Sequence, residues 1–172
     1  MMIIKASTAL RNDYAGISNL AKETNEPIYI TKNGDGDLVV MNIEAFEKRM
    51  TVLEGGVASV ACSSGMAAIT NAFTNILQSG DEIVCSASLY GGSIDLFRDL
   101  ESFGIKTHYV NNNDVEQFRA STNENTRLYF AETIGNPRLD VTDIRLIADE
   151  AHRQVFHLLL ITLLLQHILL SQ

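Results

Sequence analysis

At 172 residues with 46% hydrophobic side chains, the chain is long enough for a packed core and too apolar to be disordered. A formal net charge of -8 and a pI near 4.9 give no global support for nucleic-acid binding. The charge is uneven: residues 1–50 carry 6 basic and 7 acidic side chains and the remainder 7 and 14, so a polyanion site would fall in the first part.

Met2–Ala6 is a short apolar start. A helix opens at Ser7, a plausible cap, and places Leu10, Tyr14, Ile17 and Leu20/Ala21 on one face. Asn25-Glu26-Pro27 ends it. Ile28–Thr31 reads as a strand, Asn33–Asp37 as a turn tolerant of positive φ, and Leu38–Met41 as the return strand. Asp35 and Asp37 lack the spacing and distal Glu of a calcium loop, so a hairpin is expected there. Another helix starts over Ile43–Met50.

Val57–Ala61 reads as a short buried strand, followed by a small-residue turn and a helix that is apolar at Met66, Ile69, Phe73, Ile76 and Leu77. Ser63 and Ser64 sit where a helix cap belongs, and Gly65 lets the backbone approach whatever lies above it. A helix start of this kind offers free N–H groups and a positive dipole end to an anion, although alone it reads equally as an ordinary capped turn.

Strands and helices then alternate. Strands are expected over Glu82–Ser86, Lys106–Val110 and Thr126–Ala131, and helices over 93–102, Val115–Ala120 and Asp143–His152. Asn111–Asp114 is a polar turn. The pattern predicts a mostly parallel α/β sheet with its sites at the strand C-termini. Three loops converge at that edge: Ser63–Met66, Leu89–Gly92 and Glu132–Pro137. They offer amides for a phosphate, an aromatic for a planar ring and a side-chain amide for a ring oxygen. Taken singly, Tyr90 fits a packing tyrosine and Asn136 a turn residue before Pro137. Cys62 and Cys85 are the only cysteines; without zinc spacing they make no metal site, and without a signal peptide they fit a reduced cytoplasmic interior.

Phe46–His152 resembles the first part of the Cys/Met-metabolism family of pyridoxal-phosphate enzymes, the O-acetylhomoserine sulfhydrylases in particular. The matching text is Phe46-Glu47-Lys48-Arg49-Met50, Leu53-Glu54-Gly55-Gly56, Ser63-Ser64-Gly65-Met66-Ala67-Ala68, Gly80-Asp81-Glu82-Ile83-Val84, Leu89-Tyr90-Gly91-Gly92 and Ala131-Glu132-Thr133-Ile134-Gly135-Asn136-Pro137. The resemblance implies that the Gly65 and Met66 amides bind the phosphate of pyridoxal 5'-phosphate. It implies that Tyr90 stacks on the ring and assists proton transfer, that Asn136 meets the ring hydroxyl, and that Glu132 supports the site. It implies a role in methionine biosynthesis, with sulfide or a thiol replacing the acetoxy group of O-acetylhomoserine. O-succinylhomoserine and cystathionine remain open as substrates.

Residues 1–49 resemble Phd/YefM-type antitoxins through Ser7-Thr8-Ala9-Leu10-Arg11, Pro27-Ile28-Tyr29-Ile30-Thr31-Lys32-Asn33-Gly34 and Ile43-Glu44-Ala45-Phe46-Glu47. That resemblance implies dimerisation and operator-DNA binding, with Arg11 and Lys32 near phosphates. The antitoxins' toxin-wrapping segment, expected after Met50, is replaced by enzyme-like sequence. Shared text at Phe46–Arg49 offers a place for the two to join.

From Arg153 the chain is Leu-rich and lacks an acid. Thr162, Gln166 and His167 interrupt a run too short for a membrane span, so a buried or sticky helix is the conventional reading. A second reading is sharper. Arg153–Gln166 can be encoded so that a two-base shift yields Ala-Gly-Val-Pro-Leu-Ile-Ile-Asp-Asn-Thr-Phe-Ala-Thr, the family's next strand with its pyridine-binding aspartate.

The expected architecture is therefore α/β: residues 46–152 as an incomplete, mostly parallel fold-type I major domain, residues 1–45 as a small α+β antitoxin-like module, and residues 153–172 as an out-of-frame tail. The resemblance places the Schiff-base lysine beyond this chain and the aspartate on the displaced strand, so an inactive fragment is expected. A DNA-binding repressor acting through residues 1–49 is the alternative, and an aggregating product with an open sheet edge is a third outcome.

Overall fold

The computed structural model describes residues 2–111 and 114–162. The chain forms two compact units, residues 1–63 and residues from 64 on.

In the first unit β1 (Ile3–Ala6) lies parallel to β2 (Ile28–Lys32), which pairs antiparallel with β3 (Asp35–Val40). Between β1 and β2 run α1 (Ser7–Asn12) and α2 (Tyr14–Thr24), and α3 (Ile43–Leu53) follows β3. Ile17 and Ala21 of α2 pack on Ile28 and Ile30, which β2's alternation sends to one face. The apolar start is thus a strand, because β2 offers it an edge to pair with.

The single helix expected from Ser7 breaks at Asp13, whose carboxylate caps α2 by accepting from the Gly16 amide at 2.9 Å. Ser7 is not the cap: Ala6 takes that position and no side chain bonds there. Tyr14, expected on the apolar face, starts α2 and is 72% exposed. The hairpin turn is Asn33-Gly34, both with positive φ, so Asp35–Asp37 belong to β3.

The buried strand expected over Val57–Ala61 does not form. Val57 is fully exposed and the segment pairs with no strand. It is tied to α3 instead, by Thr51 and Ser59 hydroxyls 2.8 Å apart and by the Ala61 amide donating to Glu47 at 2.7 Å.

The second unit begins with α4 (Gly65–Ile76) and continues β4 (Glu82–Ser86), α5 (Gly91–Ser102), β5 (Lys106–Val110), α6 (Val115–Ala120), β6 (Thr126–Glu132), α7 (Ile144–Arg153) and β7 (His157–Ile161). The four strands are all parallel, in the order β5-β4-β6-β7. Near-continuous apolar strands such as Leu128–Ala131 suit a sheet covered on both faces. On one face Phe73 of α4 and Phe97 of α5 close on Phe130, with ring centroids 5.1 to 5.4 Å apart. On the other, Phe118 of α6 and Ile147 and Ala151 of α7 pack on Val84 and Tyr129.

The helix that the conventional reading gives after Arg153 is instead a strand over His157–Ile161. A Leu-rich run has no period that separates helix from strand, so the open edge of β6 decides. Leu158 joins the Tyr129 side of the core, and Leu159 and Ile161 join the Phe130 side. The remainder of that tail, 163–172, lies outside the described residues.

Candidate functional site

The C-terminal ends of β6 and β7, the start of α4 and the residues that lead from β4 into α5 enclose a cleft of about 420 Å³. Its walls are built by three loops. Ser64 caps α4 by accepting from the Ala67 amide at 3.1 Å, which sets Gly65 and Met66 at the helix's first turn, and the space beside the Gly65 Cα is open. The free amides of a helix start of this kind suit an anion.

The second wall is the β4–α5 loop. Tyr90 precedes α5 and is 54% exposed, so its ring borders the cleft without being packed away. Gly92 allows this: a Cβ there would stand 2.6 Å from the Tyr90 ring and 3.3 Å from the Met66 sulfur. The Tyr90 amide donates to Glu132 Oε1 at 2.9 Å, and the Ser93 hydroxyl lies 3.4 Å from the same oxygen.

The third wall runs from Glu132 to Asn136. Glu132 is buried, and desolvation pushes its carboxyl above the ordinary range against the lowering effect of the Tyr90 amide and the Ser93 hydroxyl. Thr133 clasps β7: its amide and its hydroxyl both donate to the Ile161 carbonyl, at 2.9 and 3.0 Å, and its hydroxyl lies 2.6 Å from that of Thr162. The Thr142 hydroxyl donates to the Glu132 carbonyl at 2.5 Å. Gly135 passes so close to the β4–α5 loop that a Cβ would stand 2.6 Å from the Ser88 hydroxyl. That buried hydroxyl has no hydrogen-bond partner among the described residues.

Gly65, Met66, Tyr90, Glu132 and Asn136 therefore line one cleft. Sequence reasoning missed Ser93, Ile69, Ile134 and Ile161, which line it too. Ser93 follows Gly91-Gly92 in the first turn of α5, where a capping-type residue is a readable signal. Ile161 gives none, because its strand is not legible. In the first unit, Arg11 lies in the last turn of α1 and Lys32 ends β2, and both are exposed. No group of three metal-ligating side chains occurs among the described residues, and no described helix is long and apolar enough to cross a membrane.

The sequence profile of the Cys/Met metabolism PLP-dependent enzymes matches residues 37–164. The O-acetyl-L-homoserine sulfhydrylase of Leptospira meyeri is 46% identical over 109 residues, 63% of this chain and 25% of that protein. The one from Corynebacterium glutamicum is 48% identical over 113 residues, 64% of this chain and 26% of that protein. The homocysteine synthase of Schizosaccharomyces pombe is 43% identical over 110 residues, 63% and 26%. This chain thus spans about a quarter of the length of these relatives. Among solved structures, the O-acetylhomoserine sulfhydrylase of the Wolinella succinogenes methionine biosynthetic pathway superposes with a TM-score of 0.67 at 35% identity, over 70% of this chain and 34% of that one. The metB protein of Corynebacterium glutamicum gives 0.66 at 34% identity, over 75% and 34%. With a profile matched over most of its length and a parallel sheet that ends in the cleft just described, the chain belongs to the family of Cys/Met metabolism PLP-dependent enzymes.

Proposed function

We propose that the cleft is the phosphate- and ring-binding part of an enzyme of the O-acetylhomoserine sulfhydrylase type, in sulfur amino-acid metabolism. The observation that carries this reading is the meeting of the α4 start, Tyr90 and Asn136 in one space. The donor set fits the phosphate: two amides at a helix start, with room beside Gly65 for close approach. It fits the ring face through Tyr90 and the ring hydroxyl through Asn136. When bound, pyridoxal phosphate supplies an electron sink for an amino acid's Cα.

In this reading the Gly65 and Met66 amides would hold the phosphate and the Tyr90 ring would stack on the pyridine. The Tyr90 hydroxyl, which borders the same space, would assist proton transfer. Glu132 fixes the Tyr90 backbone through its 2.9 Å hydrogen bond, so it is a positioning residue. The fit ends at the ring nitrogen and the aldehyde. Among the described lining residues there is no lysine, and Glu132 is the sole acid. We therefore propose that the chain as it stands does not replace the acetoxy group of O-acetylhomoserine.

Equilibrium dialysis of the full chain against pyridoxal phosphate tests the binding. Saturable uptake that Tyr90→Ala lowers roughly tenfold, the loss of one stacked ring, supports it; no uptake overturns it. Homocysteine formed from O-acetylhomoserine and sulfide above the cofactor-only rate would overturn the inactive reading. Re-sequencing the gene through the codons for Phe46 and Arg153 tests the proposed boundaries at 45/46 and 152/153 and the out-of-frame tail.

A second reading concerns the first unit. The order β1-α1-α2-β2-β3-α3 and the exposed Ile4, Tyr29 and Leu38 side chains favour an antitoxin-like module that forms a homo-oligomer and binds operator DNA through Arg11 and Lys32. A salt-dependent gel shift on the chain's own upstream DNA, weakened by Arg11→Ala and Lys32→Ala, would support it. The absence of any shift at low salt would sink it.

A further inference from the structure

We infer that Ile161 sets the charge of the ring this cleft accepts, selecting a flat aromatic phosphate whose ring is neutral over one whose ring nitrogen is protonated. The inference rests on the phosphate-and-ring reading of the cleft. Ile161 ends β7 beside Glu132, in register with it, and lines the cleft. Its backbone is locked by the two donations from Thr133 to its carbonyl, and its side chain packs on the Phe130 face of the core. With Met66, Ile69 and Ile134 it gives the cleft an apolar lining.

Among the described residues, a ring cation placed there would lose water and meet one carboxyl, Glu132, which the Tyr90 amide already engages. The titratable side chains among the described lining residues are Glu132 and Tyr90. Glu132 already accepts from the Tyr90 amide and is held toward its neutral form by burial. The α4 start adds a positive dipole end, which favours an anion and opposes a cation. Desolvation without a partner disfavours the charged form of any titrating ring. A phosphate bound at the helix start and an uncharged ring over Ile161 satisfy both ends of the cleft.

The test uses the full chain and two probes. One is pyridoxine 5'-phosphate, which cannot form imines with surface lysines. The other is its carbocyclic analogue, in which a C–H replaces the ring nitrogen. The natural chain is expected to hold the analogue at least as tightly as the pyridine, with the bound pyridine's nitrogen-15 resonance in the unprotonated range. Ile161→Asp is expected to shift the affinity ratio toward the pyridine on the order of tenfold, one unit in the ring nitrogen's pKa, and to move that resonance to the protonated range. Ile161→Asn, polar but uncharged, is expected to leave the resonance unprotonated.

A natural chain that prefers the pyridine tenfold with a protonated resonance overturns the inference, and needs no variant to fold. So does an Ile161→Asp chain that melts like the natural one and keeps its ratio. Failure of the natural chain to bind either probe overturns the cleft reading itself, and this inference with it; the two failures are thus distinct.

Discussion

Of the buried carboxylates in the second unit, Glu82, Glu132 and Glu150, the last two have surroundings that push them in opposite directions. Glu150, on α7, accepts from Arg119 at 2.8 Å, from Gln154 at 3.1 Å and from Arg153, and the Arg119 hydrogen bond leads in holding it down to about 2. Glu132, in the cleft, has only an amide and a hydroxyl, and burial pushes it up. The α6–α7 layer is built to hold charge in place. The cleft gives its one carboxyl among the described lining residues no cation to pair with. Each region also has a tyrosine. Tyr129 is fully buried, with its hydroxyl 2.5 Å from Thr122, while Tyr90 is open to the cleft.

The largest test of that contrast is the tyrosine pair. Tyr129→Ala is expected to cost about 3–5 kcal/mol, as large-to-small changes in a packed core do. Tyr90→Ala is expected to stay within about 0.5 kcal/mol. Equal losses in urea melts would erase the distinction between a packing ring and a binding ring. Gly135→Ala comes next, at about 1–3 kcal/mol, because the new methyl meets Ser88 side-chain and backbone atoms and must push two loops apart. A loss confined to ligand affinity, with an unchanged melt, would mean that the loops move freely.

The carboxylates give the finest test, through opposite slopes with pH. Glu150's pKa is depressed, so its contribution to stability is present above the ordinary value of 4.5 and is lost as pH falls through about 2. Glu150→Gln should flatten the acid limb of a melting-temperature profile. Glu132's pKa is raised from 4.5, so its ionisation costs stability as pH rises through its shifted value. Glu132→Gln, which can still accept from the Tyr90 amide, should remove that decline. If both variants flatten the same limb, the two sites are electrostatically alike.

Much of the second unit was legible because its signals are redundant. The strands 82–86 and 106–110 and the helix 115–120 are each short, apolar in the right period and bounded by polar or glycine-rich turns. Ser64, Tyr90, Glu132 and Asn136 were legible as loop residues at one sheet edge. What failed was any segment whose state depends on a partner. Val57–Ala61 has strand composition and no strand to pair with; Ile3–Ala6 is too short to announce itself but has β2. The Leu-rich run at 157–161 is a strand only because β6 is exposed beside it, and so Ile161 could not be placed in the site. Tyr14 fell off its expected face because Asp13 restarts the helix, a break that hydrophobic spacing does not register.

The clasp of Thr133 on the end of β7 couples the cleft to the outermost strand of the described sheet. Among the described strands β7 pairs with β6 alone, and edges are where a sheet opens first. Each time β7 peels away, Thr133 loses two of its partners and the wall carrying Asn136 loses its anchor. The amide protons of Thr133 and Thr142 should then exchange in step with those of β7, well ahead of those in β4. A ligand seated in the cleft would slow all of them together, so the fraying of an edge becomes the clock of the site.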